Sequence, residues 1–359
     1  MKQLKLEGKG IQLTQQDNIL AVFSDSPLQT VSSAFHNGGG IKPARVILNI
    51  EVPKGYGDTK LHMDPDGLIV DSAQKLGVKE EFVAMITAAC VQNFAVASKR
   101  EGEIGVSVVA TAADDAGHTC DHAESSGEEI DAHVVENGTV NIIVLIDGNP
   151  TASTLVSSII TATEAKTAAM MELDIRSLYS GAAATGTITD AIVCAETGNG
   201  EPILFGGPAS KLGQLVGFCT KQAVKEAIMK GRECSPLRPL TDRLIARHLS
   251  VEKMALELSK VKSLQKSKEE LARSISTLIG HEPLAASLVL AAVKLDEEIE
   301  NGLLPPQLGE IDELAKSFGE RVSGCGTPSA ELSEAELSRV DLPPFLKRTI
   351  VGLLRIDYT

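Results

Sequence analysis

The chain has 359 residues, a formal net charge of −14 and a pI near 5.0. With 43% apolar and 23% charged residues it has the composition of a globular protein, which excludes disorder along its whole length. The acidic balance argues against a nucleic-acid surface, and the longest apolar runs, Val140–Ile146 and Ala285–Val293, fall well short of the roughly 20 residues of a membrane helix.

At this length two domains are expected. The first part reads as mixed strand and helix. Ile19–Phe23, Ala44–Val52 and Glu81–Ala89 are predicted strands. Asn93–Ser98 and Ile104–Thr111 flank Lys99–Glu103, which reads as a hairpin loop. Thr139–Ile146 is rich in β-branched residues and predicts a buried central strand. Thr151–Leu173, rich in small residues and preceded by Pro150, predicts a close-packed helix with Pro150 in its first turn. Thr189–Ala195 is a further strand. Ser210–Lys230 places Leu212, Leu215, Val216, Cys219, Ala223 and Ala227 at helical spacing.

Composition changes near residue 235, since 24 of the 31 glycines precede it. Pro236 and Pro239 disfavour helix there, which sets the boundary between a domain over 1–234 and a second over 235–359. Val251–Leu264, Glu269–Ile279, Pro283–Asn301 and Ile311–Val322 are predicted helices, with shorter ones over Ser333–Arg339 and Phe345–Leu354. The fold class is therefore α/β: a strand-rich mixed α+β domain with packed helices, then an all-α domain. The six cysteines are scattered, with no CxxC pair, and no export signal opens the chain. This predicts reduced thiols and a cytoplasmic protein.

Four segments carry chemistry. His36-Asn37-Gly38-Gly39-Gly40 offers a histidine beside a backbone that a ligand can approach closely; the plainer reading is a turn between strands. No GK[ST] follows, so it is not a phosphate-binding P-loop. Asp114–His133 holds His118, Cys120, His122 and His133, whose residue types suit a metal. Their spacing matches no common zinc pattern, and the acidic run around them reads equally as a solvated loop, so no protein metal is assigned. In Thr161–Thr167, Glu164 and Lys166 lie about 200° apart on a helix. Both cannot face one pocket, and a charge within a small, apolar helix is costly to bury unpaired. The plainer reading is one buried ion pair with the other residue exposed. In Ala183–Ala191, Thr185, Gly186, Thr187 and Thr189 precede Asp190 at a strand start, which suits hydrogen bonding to amides or a stabilised turn.

In order along the chain, SSAFHNGGG (32–40), MITAA (85–89), GTVNIIVL (138–145), TATEAKTAAMMEL (161–173), ATGTITDAIVCA (184–195) and KLGQLVG (211–217) resemble the adenosylcobinamide amidohydrolase (CbiZ) family. The resemblance covers roughly residues 15–232; the rest of the chain lies outside it. The family's glycine-containing segment after the strand ending at Thr111 is replaced by Ala112-Ala113-Asp114-Asp115. The resemblance implies hydrolysis of the amide joining the corrin propionyl group to aminopropanol, giving adenosylcobyric acid for cobalamin salvage. It implies a corrinoid substrate whose cobalt belongs to the substrate, no other cofactor, no nucleic acid or membrane partner, and leaves a homo-oligomer open.

Amide hydrolysis needs an activated oxygen, a stabilised oxyanion and a proton for the leaving amine. Glu164 or Asp190 are candidates for the base, His36 or Lys166 for the acid. A threonine nucleophile among Thr139, Thr185 and Thr187 is open, and no nucleophile elbow is visible. The expected substrate contacts are Asn37, Gly38, Gly39, Gly40, Asn49, Thr87, Thr139, Asn141, Thr163, Thr185, Gly186 and Thr187. The rival readings are a corrinoid carrier without turnover, and a metal-dependent hydrolase acting on another amide.

Overall fold

Side chains alternate faces along a strand, and the strands over Phe82–Thr87, Val140–Asp147 and Ala191–Glu196 are largely apolar on both. A computed structural model describes residues 2–56, 64–113, 117–120, 138–231, 238–305, 313, 317, 330–354 and 356–358. Its residues fall into two compact units, Met1–Pro236 and Leu237–Thr359.

The first unit is built on one nine-stranded sheet. It contains β1 (Lys2–Lys5), β2 (Ile11–Gln16), β3 (Ile19–Ser32), β4 (Gly39–Glu51), β5 (Phe82–Thr87), β6 (Ala95–Glu101), β7 (Ile104–Ala112), β8 (Val140–Asp147) and β10 (Ala191–Glu196). β9 (Asn149–Pro150) and β11 (Pro202–Ile203) form a separate short pair. Strand β3 pairs with β4 along most of its length, with β2 along its first half and with β10 over Gln29–Ser32. It thus joins two halves, β1-β2-β3-β4-β5 and β10-β8-β7-β6. β8 and β10 run parallel, as do β4 and β5.

The period of two sorts the core into layers. Leu13, Leu20, Val22, Ile47 and Met85 of the first half meet Val109, Ile143, Leu145 and Val193 of the second. The alternate residues of β3, β4 and β5 pack under α1 (Pro65–Lys75) through Ile69 and Ala73. The alternate residues of β7, β8 and β10 pack under α2 (Ala152–Glu172) and α3 (Lys211–Gly231). The order is helix, sheet, sheet, helix. Burial of each such Leu, Ile or Val contributes ~1.5–3 kcal/mol.

Several elements differ from the sequence reading. β1, β2 and α1 were not anticipated. β3 runs on past Phe23 because a register shift between Phe23 and Leu28 carries the pairing across Ser24–Pro27. Pro150 lies in β9 rather than in the helix; Thr151 caps α2, its side chain accepting from the Thr154 amide. Strand β6 continues to Glu101, so the hairpin turn is shorter than Lys99–Glu103.

The second unit is helical: α4 (Leu240–Ile245), α5 (Val251–Ser259), α6 (Lys268–His281), α7 (Pro283–Glu300), α8 (Glu334–Leu337) and α9 (Pro344–Leu353). Its core gathers Met254, Leu258, Ile275, Val289, Leu346 and Ile350. Ser267 and Glu270 form a capping box on α6. Asp296 of α7 accepts the Phe345 and Leu346 amides, 2.9 Å each, at the start of α9. Among its described residues the second unit also holds a pair of short parallel strands, Ala330–Leu332 and Ile356–Tyr358, so it is not purely α. The expected helix over Ile311–Val322 lies mostly outside the described residues. No single helix among the described residues is long and apolar enough to cross a membrane.

Candidate active site

Strands β8 and β10 start side by side, and a polar cluster gathers at that end. Lys166 of α2 is buried and ion-paired with Asp190, the residue preceding β10. Asp190 also accepts from the Val140 amide (2.9 Å), the Thr187 amide (3.1 Å) and the Thr187 hydroxyl. The turn holding these groups leaves no room at Gly186: a Cβ there would lie 2.6 Å from Asp190 Oδ2 and 2.7 Å from Lys166 Nζ. Thr167 Oγ1 donates to the Thr185 carbonyl at 2.9 Å and holds the same turn from α2. The Thr139 and Thr189 hydroxyls meet at 2.7 Å.

Between the sheet halves a second polar group continues this cluster. Asn141 Nδ2 donates to Asn49 Oδ1 and to the Ile86 carbonyl, 2.8 Å each, and Asn141 Oδ1 accepts the Ala191 amide at 3.1 Å. Asn49 Nδ2 donates to Thr111 Oγ1 at 2.8 Å. Thr87 accepts the Ala89 amide at 3.0 Å. Asn49, Thr87, Thr111, Thr139 and Asn141 are all buried. Buried amides in full hydrogen-bond register fix a rigid frame, since each lost partner is expensive.

The expected residues are thus divided. Asn49, Thr87, Thr139, Asn141, Lys166, Thr185, Gly186, Thr187 and Asp190 come together. Glu164 and Thr163 do not: both are exposed on α2, and Glu164 stands on the far side of the helix from Lys166. Thr163 bonds back to the Ile159 carbonyl. The 200° separation of Glu164 and Lys166 is realised as one buried ion pair and one exposed carboxylate. Thr189, part of the threonine segment noted above, completes the frame with Thr111 and Ser33, which the sequence did not single out.

The glycine loop joins this end to the edge of β5. Ser33 exchanges two bonds with Ile192, at 3.0 Å each, two residues from Asp190. His36 exchanges two backbone bonds with Ala84, 3.1 Å each. Its ring stacks on Phe82, centroids 4.7 Å apart, and its Nδ1 lies 3.1 Å from Asp66 Oδ1. Asn37 takes a positive φ of 55° and donates to the Phe82 carbonyl. A Cβ at Gly38 would collide with the Ala34 carbonyl, whereas the Cβ positions of Gly39 and Gly40 meet nothing within 4 Å.

His118 pairs its backbone with the same turn, donating to the Gly186 carbonyl at 2.9 Å and accepting from the Thr185 amide at 2.9 Å. His122 and His133 lie outside the described residues, and Cys120 is exposed. Among the described residues no three His, Cys, Asp or Glu side chains gather as a metal set. A 560 Å³ cavity lies at the opposite end of β8 and β10, near Gly148, Phe205 and Lys211, and contains none of this cluster.

The helix–sheet–sheet–helix domain thus carries the Lys166–Asp190 pair, with hydroxyls and amides around it, at one end of its sheet. Residues 5–236 match the adenosylcobinamide amidohydrolase (CbiZ) family, and the chain belongs to it. An uncharacterized protein of Methanocaldococcus jannaschii is 34% identical over 209 residues, 53% of this chain and 79% of that one. Among solved structures, a Burkholderia sp. beta-aminopeptidase overlays with a TM-score of 0.33 at 10% identity, covering 61% of this chain and 82% of its own. An L-aminopeptidase D-Ala-esterase/amidase from Ochrobactrum anthropi overlays with a TM-score of 0.29 at 8% identity, covering 62% and 83%.

Proposed function

We propose that the first unit hydrolyses the amide between the corrin propionyl group and aminopropanol in adenosylcobinamide, releasing adenosylcobyric acid for cobalamin salvage in the cytoplasm. The family supports the amide chemistry. The observation that carries the site is the Thr187 hydroxyl donating into Asp190, which is itself paired with the buried Lys166.

In this reading Thr187 Oγ1 attacks the amide carbonyl and its proton passes to Asp190. A hydroxyl already bonded to a carboxylate is oriented and polarised for that transfer. Asp190 keeps its place through the Val140 and Thr187 amides. Lys166 has three donors; Asp190 takes one, and the others serve the developing oxyanion and the leaving nitrogen. Collapse expels aminopropanol and leaves the corrinoid acid esterified on Thr187. The proton held by Asp190 then returns to Lys166, which gave its own to the leaving nitrogen; water attacks the ester, its proton passes through the freed Asp190 to the Thr187 oxygen, and the hydroxyl is regenerated. Glu164 has no part in this route. The second unit has no assigned role in it.

The test is turnover of adenosylcobinamide by Thr187→Val and Thr139→Val. Loss of ester formation and product in Thr187→Val alone supports the assignment. Loss only in Thr139→Val moves the nucleophile to the start of β8.

A further inference from the structure

We infer that His36 binds the cobalt of the corrinoid through Nε2, as its lower axial ligand. This rests on the corrinoid reading above and deepens it.

The ring is held for such a role. The Asp66 carboxylate only accepts, so Nδ1 is the donor in that bond and Nε2 is the nitrogen left to a ligand. Among the described residues no group bonds to Nε2. A ligating histidine usually gives its other N–H to a carboxylate, which sets the tautomer and raises the basicity of the ligating nitrogen. Phe82 fixes the ring plane, and the paired backbone bonds to Ala84 fix the residue along β5. Asp66 itself stands in the first turn of α1, where the helix dipole favours a carboxylate. The Asp66 side chain is 62% exposed. A pair that open to solvent contributes little to folding, so its consequence is the orientation of the imidazole.

The surroundings suit a broad, flat ligand. Phe35 and Ile41 are exposed apolar side chains on either side of His36 and the glycines. The space beside Gly39 and Gly40 is open. A macrocycle ringed by methyl groups and amides finds there an apolar rim, a bare backbone and one oriented nitrogen. The same loop leads through Ser33 to Ile192, beside Asp190. Ligation exchanges one neutral donor for another: the imidazole lone pair replaces the axial water, the water leaves, and cobalt keeps its oxidation state.

The experiment uses the full chain with cob(II)inamide as the spectroscopic probe and adenosylcobinamide as the substrate. The electron paramagnetic resonance lines of the bound cob(II)inamide are expected to show nitrogen splitting that changes when the protein carries 15N-histidine. His36→Ala loses the splitting and free imidazole restores it. Asp66→Asn keeps the splitting but weakens corrinoid binding about 10-fold or more. Turnover of adenosylcobinamide with cobalt keeping its axial water overturns His36 ligation while the hydrolase reading stands. Nitrogen splitting that persists in His36→Ala also overturns it. Absence of both binding and product overturns the two together.

Discussion

Lys166 and Asp190 form an ion pair in which Lys166 is buried and Asp190 largely so, Lys166 reaching from the inner face of α2 to the turn that starts β10. The two partners are unequal. Asp190 has three further donors, two backbone amides and a hydroxyl, whereas among the described residues the ammonium bonds Asp190 alone. Removing the carboxylate therefore strands a buried charge, while removing the ammonium leaves a carboxylate that is still bonded.

Asp190→Leu is expected to destabilise the first unit by ~3–5 kcal/mol, the cost of breaking a buried pair from one side. Lys166→Met is expected to cost less, and Lys166→Met/Asp190→Leu less than the sum of the two. Urea unfolding of the three variants measures this; additive losses would mean that the pair does not act as a unit.

Gly186→Ala tests the close approach at the turn. A methyl group placed 2.6 Å from Asp190 Oδ2 and 2.7 Å from Lys166 Nζ forces both groups or the turn to move. A stability loss of ~1–3 kcal/mol is expected, together with a fall in turnover larger than that loss explains. Near-normal turnover would show that the pair tolerates displacement.

Asn141→Leu removes the centre of the inter-sheet frame and leaves Asn49 Oδ1, the Ile86 carbonyl and the Ala191 amide without a bond. Each unsatisfied group costs ~1–3 kcal/mol. Hydrogen exchange of the Ala191 amide is expected to accelerate before global unfolding does.

The cysteines give a pH test. Burial pushes the Cys194 thiol up to about 12 and the Cys219 thiol up to about 11. Only thiolates alkylate readily, so both residues are expected to stay unlabelled by iodoacetamide at about pH 9, still below both values. Exposed Cys90 labels in the native protein. Peptide mapping reads each site, and early labelling of Cys194 would mean that the layer under α2 opens.

Glu164→Gln is expected to keep full turnover, because the carboxylate stands on the outer face of α2. A dead but folded Glu164→Gln would place the chemistry on that face.

Much of this arrangement was legible in the sequence wherever the cause was local. The run TVNIIVLI reads as a buried strand because both of its faces are apolar, and it forms β8. The 200° angle between Glu164 and Lys166 shows that one faces in and one out. Which one faces in is decided by Asp190, 24 residues away from Lys166. The bent course of β3 was hidden because Ser24–Pro27 breaks the strand pattern while tertiary pairing carries the strand through. Asn49 and Asn141 lie 92 residues apart, and Thr111 completes their network from a third strand. Asp66 was missed as the partner of His36 because α1 was not read as a helix.

The most direct measurement is incubation of the full chain with adenosylcobinamide, followed by mass spectrometry for adenosylcobyric acid and free aminopropanol, with and without chelator. Both products, in equal amounts and insensitive to chelator, are the expected result. Tight corrinoid binding with neither product would contradict the hydrolase assignment and leave a carrier in its place.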